Sequence, residues 1–395
     1  MEKEAIEHLL SYNVAETISN ESLREKLRLG KKLRVKIGAD PTRPDLHLGH
    51  AVVLRKLKEF QDLGHTVIFL IGDFTAKIGD PSGRDTARPA LSDKEIETNA
   101  QTYLEQVGKI LDVKQCEIRR NSEWLGKIEL SKLLQILTRV TVAQVIERED
   151  FRKRLSEGVN LGMHELLYPI LQGYDSVMLK ADVELGGVDQ KLNLLMGRDL
   201  LKRFGQPPQE IMTMPLLLGT DGVNKMSKSS DNYIGLTEDP KEQFGKIMSI
   251  SDKLIPHYLE LAADFSAAEI DKLTNELKSG NPRDVKEEIA ARVVKLYHGE
   301  AAVQQAKEHF DRVFRRKEAP ADIEGIYLDM KKIKLIDALD DSKLVGSKTR
   351  ARQLIQQGGI KVDGVKVEDV ERMLDLCQPV IIQVGKRKFF KISSR

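Results

Sequence analysis

The order of a strand, a break, a helix and a second strand near the N-terminus constrains the fold more than any other feature of this sequence. Residues 33–37 (Leu-Arg-Val-Lys-Ile) have the composition of a strand, and the next four residues, which include a glycine and a proline, interrupt it. Residues 47–63 then carry apolar side chains at helical spacing until Gly64, and residues 67–71 (Val-Ile-Phe-Leu-Ile) have the composition of a buried strand. This strand–helix–strand unit predicts a parallel sheet covered by helices on both faces.

Three domains are predicted from how these signals are distributed. Residues 1–232 keep the alternation of strands and helices and are assigned to the parallel-sheet domain. Strand signals fade after that point, and residues 233–330 are predicted to be helical, with helices that begin near Asn281 and Ala301. Residues 335–395 are predicted to form a separate small α+β module. The fold class is therefore α/β, with a helical domain and a small module added.

The C-terminal module is set off by its turn signals and by its charge. Residues 317–334 have mixed polarity and include a proline, which indicates a linker. A helix is predicted over 347–357, where two glycines end it, and Asp363-Gly364 is typical of a hairpin turn. The net charge of the chain is only +2, yet residues 335–395 hold 12 Lys and Arg against 8 Asp and Glu. A basic module favours a nucleic-acid partner.

Cysteine usage and hydropathy indicate the compartment. Cys116 and Cys377 are far apart and form no CxxC pair, which argues against a disulfide framework or a thiolate zinc site. The longest apolar run, around residues 67–71, is too short to span a bilayer. The first four residues (Met-Glu-Lys-Glu) lack the basic start and apolar stretch of a signal peptide. We therefore expect a cytoplasmic protein with no membrane partner.

The first chemical motif is an HxGH pattern at the start of the predicted helix. His47 and His50 are three residues apart, so they share one face of the first turn, and Gly49 lets a ligand approach the backbone. Free N–H groups and the positive end of the helix dipole suit a polyphosphate. Two imidazoles there can donate hydrogen bonds to phosphoryl oxygens that gain charge in a transition state. Taken alone, the motif fits two polar residues near a helix cap equally well.

The second motif is the run Lys225-Met226-Ser227-Lys228-Ser229, which follows an Asp-Gly turn signal. A flexible loop that brings two ammonium groups onto a pyrophosphate needs lysines separated by small hydroxyl residues. Alone, such a run is usually a solvated basic loop. Because HxGH precedes it in the same chain, after an intervening α/β pattern, the combination favours a nucleotide site.

Together these motifs resemble the HIGH and KMSKS signatures of the class I aminoacyl-tRNA synthetases. The resemblance implies a Rossmann-type domain that binds ATP, attack of an amino-acid carboxylate on the α-phosphate, and release of pyrophosphate. It also implies that the aminoacyl group then passes to a ribose hydroxyl at the 3′ end of tRNA. Positioning and electrostatic stabilisation would carry this chemistry, with no covalent enzyme intermediate.

Three further segments resemble the tyrosyl-tRNA synthetases within that class. Residues 168–175 (Tyr-Pro-Ile-Leu-Gln-Gly-Tyr-Asp) are similar to their tyrosine-pocket helix, and residues 186–190 (Gly-Gly-Val-Asp-Gln) to their GGxDQ loop. Residues 79–83 (Gly-Asp-Pro-Ser-Gly) are similar to the segment that supplies a carboxylate to the substrate ammonium. The pocket residues fall on one helical face, although a helix that begins only at Pro169 is an alternative.

The resemblance, which extends from about residue 33 to the C-terminus, implies a role for each matching residue. Asp80, Tyr168 and Gln172 would hold the tyrosine ammonium, and Asp175 would accept a hydrogen bond from the phenolic hydroxyl. The residues expected to contact ATP are Gly38, Asp40, Thr42, His47, Gly49, His50, Asp189, Gln190, Lys225, Met226, Ser227, Lys228 and Ser229. Within that set the resemblance places Asp189 and Gln190 on the ribose, and it makes the two histidines and the two lysines catalytic.

Lys36 departs from the family pattern. Many bacterial members have a tyrosine four residues before the aspartate of the DPT segment, and Lys36 stands in that place. A lysine there either donates to the phenol oxygen of the substrate or points away from it. Both alternatives stay open, although we include Lys36 among the tyrosine-binding residues.

The C-terminal module resembles the small αL RNA-binding module shared with ribosomal proteins. Its expected phosphate contacts are Lys348, Arg350, Arg352, Lys386, Arg387 and Lys388. The resemblance further implies that residues 233–330 bind the anticodon, that tRNA(Tyr) is the partner, and that the protein is a homodimer. Magnesium is expected to accompany ATP, without a dedicated protein site for it.

Three alternatives were weighed against this interpretation. A tryptophanyl-tRNA synthetase shares the catalytic fold but would lack the C-terminal module and a carboxylate at Asp175. A small-molecule nucleotidyltransferase also uses HxGH, and the lysine loop and RNA-binding module argue against it. A catalytically inactive RNA-binding relative is disfavoured because both histidines and both lysines are present.

Overall fold

The computed structural model describes residues 3–80, 91–315, 325–342, 345–385 and 388–394. The chain forms two compact units, residues 1–299 and 300–395, and each is described by itself. The domain boundary predicted between residues 232 and 233 lies inside the first unit and stays a prediction. Within the described residues, no helix combines the length and apolarity needed to cross a membrane.

The first unit contains all the elements that surround the candidate site. Its strands are β1 (Glu16–Ile18), β2 (Arg34–Ala39), β3 (Thr66–Ile71), β4 (Glu117–Arg120), β5 (Val183–Gly187) and β6 (Glu210–Met214). Its helices are α1 (Lys3–Ser11), α2 (Asn20–Arg28), α3 (Leu48–Asp62), α4 (Asp93–Val107), α5 (Ser122–Leu125), α6 (Leu130–Leu137), α7 (Val142–Ile146), α8 (Glu149–Ser156), α9 (Met163–Leu179), α10 (Lys191–Arg203), α11 (Pro240–Met248), α12 (Ile255–Leu261), α13 (Ala267–Ser279) and α14 (Pro282–His298).

The predicted parallel sheet is confirmed, and its strand order determines where a ligand can bind. The order is β1-β6-β5-β2-β3-β4, in which the neighbours from β6 to β4 are parallel and β1 is antiparallel to β6. The chain runs outward from β2 through β3 to β4 and then continues on the other side of β2 with β5 and β6. The order reverses between β2 and β5, and ligands bind outside the carboxyl ends of the strands at such a point.

The predicted strand–helix–strand unit is confirmed within one or two residues at each end. Helix α3 connects β2 to β3, and its apolar side chains Val52, Leu57 and Phe60 are at most 2% exposed. The five apolar residues at 67–71 are also at most 1% exposed, so β3 is fully buried. Burying one such side chain stabilises the fold by about 1.5–3 kcal/mol, which fixes the start of α3 against the sheet.

Helix α9, which carries the predicted tyrosine pocket, begins at Met163, so the alternative that it begins at Pro169 is wrong. The Glu165 carboxylate accepts from the Gly162 backbone N–H at 2.8 Å and pairs with Arg154 at 2.7 Å. A glutamate at the third helical position satisfies N–H groups that have no partner in the first turn. This cap lets the helix start one and a half turns before the proline.

The second unit is a small α+β body. Its helices are α15 (Glu300–Phe310), α16 (Leu335–Asp341) and α17 (Lys348–Gln356). Its strands are β7 (Gly325–Leu328), β8 (Lys332–Lys334), β9 (Ile360–Val362), β10 (Val365–Lys366), β11 (Met373–Asp375), β12 (Val380–Val384) and β13 (Lys388–Ser394). One sheet has the order β10-β9-β12-β13-β7, and β8 pairs with β11 in a separate ribbon. Helix α17 and the Asp363-Gly364 turn between β9 and β10 were both predicted and are confirmed.

The linker predicted over residues 317–334 is wrong for its described part. Residues 325–328 pair in parallel with β13, and residues 332–334 pair antiparallel with β11. Ile333 is only 6% exposed and belongs to the core of the second unit. Both partner strands lie far along the chain, so no local pattern in these short segments indicates a strand.

Candidate active site

A cavity of about 670 Å³ opens where the strand order reverses between β2 and β5. This volume is within the range of small-molecule sites. All of the residues predicted from the motifs in the first unit line it. They are Lys36, Gly38, Asp40, Thr42, His47, Gly49, His50, Asp80, Tyr168, Gln172, Asp175, Asp189, Gln190, Lys225, Met226, Ser227, Lys228 and Ser229. Residues 81–83 of the predicted carboxylate segment lie outside the described residues.

The two histidines of the HxGH motif lie at the first turn of α3. His50 Nδ1 accepts a hydrogen bond from the His47 backbone N–H at 3.2 Å, and the two ring centroids are 3.9 Å apart. Because His50 Nδ1 is an acceptor, its Nε2 carries the hydrogen and can donate to a ligand. A Cβ atom at Gly49 would lie 3.1 Å from the His47 ring, so a side chain there would displace the imidazole.

Both imidazoles are neutral near pH 7. Burial, together with the nearby ammonium of Lys228, lowers the pKa of His50 to about 3. Burial and the neighbouring His50 likewise hold the pKa of His47 well below its usual value. His47 Nδ1 is buried and has no hydrogen-bond partner among the described residues. The pair is therefore suited to donate hydrogen bonds to an anion without taking up a proton.

The lysine loop lies on the same side of the cavity as the histidines. Lys225 forms an ion pair with Asp189, the residue expected on the ribose. Lys228 Nζ is buried and, within the described chain, has no hydrogen-bond partner. Burial lowers the pKa of Lys228 to about 8, and Asp45 opposes that shift. We call the four side chains of His47, His50, Lys225 and Lys228 the phosphate end of the cavity.

Asn232, which carries no motif signal, shapes the lysine loop. Its Oδ1 accepts from the Ser227 backbone N–H at 2.8 Å, and its Nδ2 donates to the Lys225 carbonyl at 3.2 Å and to Asp221 at 3.0 Å. Asn232 is 3% exposed. One buried amide thus ties the first half of the motif to the turn that precedes it. The Asp-Gly turn signal predicted this turn, but nothing local indicated Asn232.

Asp175 also lines the cavity and is 2% exposed. Its Oδ1 accepts from Trp124 Nε1 at 2.7 Å, and its Oδ2 accepts from Asn121 Nδ2 at 3.2 Å. Burial raises the pKa of Asp175 to about 7, while Lys36 and these two donors lower it. Sequence reasoning missed Trp124 and Asn121, although Trp124 is the single tryptophan of the chain.

Hydrogen bonds link the residues expected on the substrate ammonium to those expected on ATP. The Tyr168 hydroxyl donates to Asp40 Oδ2 at 2.9 Å, and the Thr75 hydroxyl donates to Asp40 Oδ1 at 2.8 Å. Gln190 Nε2 donates to Asp80 Oδ2 at 2.9 Å. The two groups of residues therefore form one continuous polar wall.

Lys36 and Glu184 form the floor of the cavity with Asp175. Lys36 is fully buried, and its Nζ lies 2.9 Å from Glu184 Oε1 and 2.7 Å from Ser176 Oγ. A third contact, at 3.5 Å, is to the Gln172 carbonyl. An ammonium has three N–H donors, so a direct bond to a phenol would require Lys36 to exchange one of these partners.

The predicted RNA-binding residues lie in the second unit. Arg350 and Arg352 are exposed on α17, on either side of the buried Ala351. Lys348 pairs with Asp337 at 2.7 Å. Lys386 and Arg387 lie outside the described residues, and so does the side chain of Lys388.

Comparison with known families divides the chain into two matched parts. A family model for class I tRNA synthetases (W and Y) matches residues 28–315. A model for the SYY-like C-terminal domain of tyrosine–tRNA ligase matches residues 316–392.

Curated relatives match over nearly the whole chain. A tyrosine–tRNA ligase of Thermotoga maritima is 47% identical over 387 residues, which cover 98% of this chain and 96% of that protein. One from Bordetella avium is 50% identical over 365 residues and covers 92% of this chain and 89% of its own length.

Solved structures share the fold. A C-terminally truncated mitochondrial tyrosyl-tRNA synthetase of Aspergillus nidulans superposes with a TM-score of 0.67 at 22% identity, covering 79% of this chain and 95% of its own. The tyrosyl-tRNA synthetase of Archaeoglobus fulgidus complexed with L-tyrosine gives a TM-score of 0.61 at 22% identity, covering 77% and 98%.

Proposed function

This chain belongs to the tyrosine–tRNA ligases among the class I tRNA synthetases, and we propose how its cavity divides the work of that reaction. The observation that carries the proposal is that one cavity is lined by two neutral imidazoles with two lysines and also by a buried carboxylate, Asp175. The first set suits a triphosphate, and the second suits a hydroxyl donor. Tyrosine and ATP would therefore meet between them.

At the phosphate end, the tyrosine carboxylate attacks the α-phosphorus of ATP, and pyrophosphate leaves. His47 and His50 donate hydrogen bonds to oxygens that gain charge as the bond to pyrophosphate breaks. Lys225 and Lys228 neutralise the departing phosphates. Asp189 and Gln190 hold the ribose, and Asp40 and Thr42 lie beside the nucleotide. This is catalysis by positioning and electrostatics.

Elsewhere in the cavity, Asp175 accepts a hydrogen bond from the phenolic hydroxyl. Asp80, Tyr168 and Gln172 hold the ammonium. Gln172 Oε1 is buried and has no partner in the described part of the chain, which suits an acceptor for a charged donor. Phenylalanine would leave the buried Asp175 carboxylate with Trp124 and Asn121 alone and without the further donor that the phenol supplies, a loss that favours tyrosine.

The tyrosyl-adenylate then reacts with a hydroxyl of the terminal ribose of tRNA(Tyr). We assign tRNA binding to two regions, residues 233–330, which include helices α11 to α15, and the module at 335–395. The exposed Arg350 and Arg352 support contact with phosphates by the module. Magnesium would arrive with ATP, bound to its phosphates; within the described ranges, no cluster of three His, Cys, Asp or Glu side chains is placed to hold a metal ion.

We also assign a homodimer and a cytoplasmic location to the protein. Four apolar side chains on α6, α7 and the start of α9 are more than half exposed: Leu130, Leu134, Val142 and Met163. Contiguous exposed apolar side chains mark subunit interfaces, and we infer that these four belong to one. Leu134→Glu combined with Val142→Glu should lower the mass measured by analytical ultracentrifugation to that of one chain. The cytoplasmic location rests on the two widely spaced cysteines, Cys116 and Cys377, which suit a reducing compartment.

Amino-acid-dependent exchange of labelled pyrophosphate into ATP tests the proposed function directly. Tyrosine should support exchange, and phenylalanine and tryptophan should not. Charging of tRNA(Tyr) should then require the same protein and tyrosine. Exchange driven by tryptophan would contradict the assignment of the pocket.

A further inference from the structure

The floor of the cavity contains an ion pair between two neighbouring strands. Lys36 of β2 lies directly opposite Glu184 of β5 in the parallel register, and both side chains are at most 1% exposed. Removing two charges from water costs several kcal/mol for each ion unless further hydrogen bonds compensate. A buried pair beside a ligand cavity therefore calls for an explanation beyond stability.

Both carboxylate oxygens of Glu184 accept hydrogen bonds. Its Oε2 accepts from Ser176 Oγ at 3.0 Å and from Gln209 Nε2 at 2.5 Å. Its Oε1 accepts from Lys36 and makes a longer contact, 3.5 Å, with Gln172 Nε2. Gly197 leaves room for this arrangement, since a Cβ there would lie 2.7 Å from the Gln209 amide nitrogen.

This contact decides which way the Gln172 amide faces. A carboxylate offers only acceptors, so the amide must turn its NH₂ group toward Glu184. Its oxygen then faces the cavity, where it is buried and, among the described residues, has no hydrogen-bond partner. An amide in the opposite orientation would repel Glu184 and would present a donor to the substrate ammonium.

The same pair sets the charge around Asp175. Lys36 of β2 and Glu184 of β5 are the charged groups that act on it, while Trp124 and Asn121 donate to its two oxygens. Lys36 favours the ionised carboxylate, and Glu184 opposes it. Since Lys36 already has three acceptors of its own, it acts on Asp175 through its charge and not through a bond to the phenol.

We propose that the Lys36–Glu184 ion pair is the positioning element of the tyrosine pocket. Glu184 orients Gln172 as an acceptor for the ammonium. Lys36, bonded to the Gln172 carbonyl and to Ser176 Oγ, holds its charge against the turn of α9 that carries Asp175, the acceptor for the phenol. The inference rests on the proposed function, because it assumes that tyrosine occupies this cavity. It assigns the two residues no direct contact with substrate.

Binding of substrate analogues separates the two roles. In Glu184→Gln, tyrosine should bind about tenfold more weakly or worse, as expected for a disturbed hydrogen bond to a charged group. The des-amino analogue 3-(4-hydroxyphenyl)propionate should bind the variant and the wild type equally. In Lys36→Met, the preference for tyrosine over phenylalanine should narrow, and the acid limb of kcat/KM for tyrosine should move to higher pH. The KM for ATP should stay within about twofold in both variants, because the phosphate end is untouched.

Two controls keep the outcome clear. Glu165 lies on α9, the helix that carries Gln172, and forms another buried ion pair, with Arg154, outside the cavity lining. Glu165→Gln should lower the melting temperature without changing the affinity for tyrosine relative to the des-amino analogue or to phenylalanine. The double variant Lys36→Met with Glu184→Gln leaves no unpaired charge and should fold while showing both binding defects.

Suppose the variants fold and keep the wild-type affinity for tyrosine relative to the des-amino analogue, the wild-type preference over phenylalanine and the wild-type acid limb of kcat/KM. This result would overturn the proposal and leave the proposed function intact. A wild-type protein that fails to exchange pyrophosphate with tyrosine would instead overturn the proposed function.

Discussion

Lys225 Nζ lies 2.5 Å from Asp189 Oδ2, so the loop cation and the carboxylate assigned to the ribose neutralise each other. Their side chains are 37% and 24% exposed. An ion pair exposed to this degree contributes about 0–1 kcal/mol to stability. A nucleotide can therefore separate them at small cost. We therefore propose that, on ATP binding, Lys225 exchanges Asp189 for phosphate and Asp189 exchanges Lys225 for a ribose hydroxyl.

The first prediction concerns the two loop lysines. Lys225→Ala and Lys228→Ala should slow tyrosyl-adenylate formation, because their contacts strengthen as pyrophosphate gains charge. Transfer from preformed adenylate to tRNA should suffer less. Single-turnover measurements of the two half-reactions would test this, with the exposed Lys253→Ala as a control. Equal losses in both half-reactions would contradict the assignment.

The second prediction is a basic limb in the pH profile. The pKa of Lys228 is lowered to about 8, so its charge is present below that pH and is lost above it. The kcat/KM for ATP, which reports the free enzyme, should fall as pH rises through about 8. Lys228→Arg keeps its charge throughout and should move the limb to higher pH. An unshifted limb in that variant would assign the titration to another group.

The third prediction concerns the imidazole pair. Replacing His47 or His50 by Ala should slow adenylate formation by roughly 10²–10³, the effect of one lost donor to a developing charge. Tyrosine binding should hardly change. The control is His65→Ala, which removes another buried histidine from outside the cavity. Normal pre-steady-state adenylate formation in His50→Ala would remove His50 from the mechanism.

The fourth prediction concerns the carboxylate that selects tyrosine. Because its pKa is raised to about 7, Asp175 is ionised above that pH and loses its charge below it. The kcat/KM for tyrosine should therefore fall as pH drops through about 7. Trp124→Phe removes a donor to Asp175 and should move this acid limb to higher pH. Asp175→Ala should abolish the limb and narrow the preference for tyrosine over phenylalanine. If Asp175→Ala selects tyrosine as strongly as the wild type, the pocket assignment is wrong.

The fifth prediction concerns the C-terminal module. A chain ending at residue 315 should keep tyrosine-dependent pyrophosphate exchange, lose tRNA charging, and bind tRNA with a weaker dependence on salt because fewer counterions are released. A chain ending at residue 334 should be less soluble than the chain ending at residue 315, because β7 and β8 would lose their partner strands β13 and β11. Full charging efficiency in the shorter chain would show that the module is dispensable.

Local patterns predicted the parallel sheet and the lysine loop, since each rests on a run of neighbouring residues, and the family resemblance supplied most residues that line the cavity. They did not predict Glu184, Asn232 or Trp124, whose roles depend on contacts between distant segments. Glu184 meets Lys36 only because β5 pairs with β2. A single charged residue inside the buried strand β5 was an available signal that sequence reasoning did not use. The strands at 325–334 were missed for the same reason.

Because β2 and β5 pair in a fixed register, Lys36 and Glu184 are expected to change together during evolution. Losing one of them alone leaves the other as an unpaired buried charge, at a cost of about 3–5 kcal/mol. This cost is a large share of the net stability of a typical domain. A lineage with tyrosine in place of Lys36 is therefore expected to lack the carboxylate at position 184 as well. Homologues that carry only one of the two changes should be rare, and the pair should mark an old division between branches of the family.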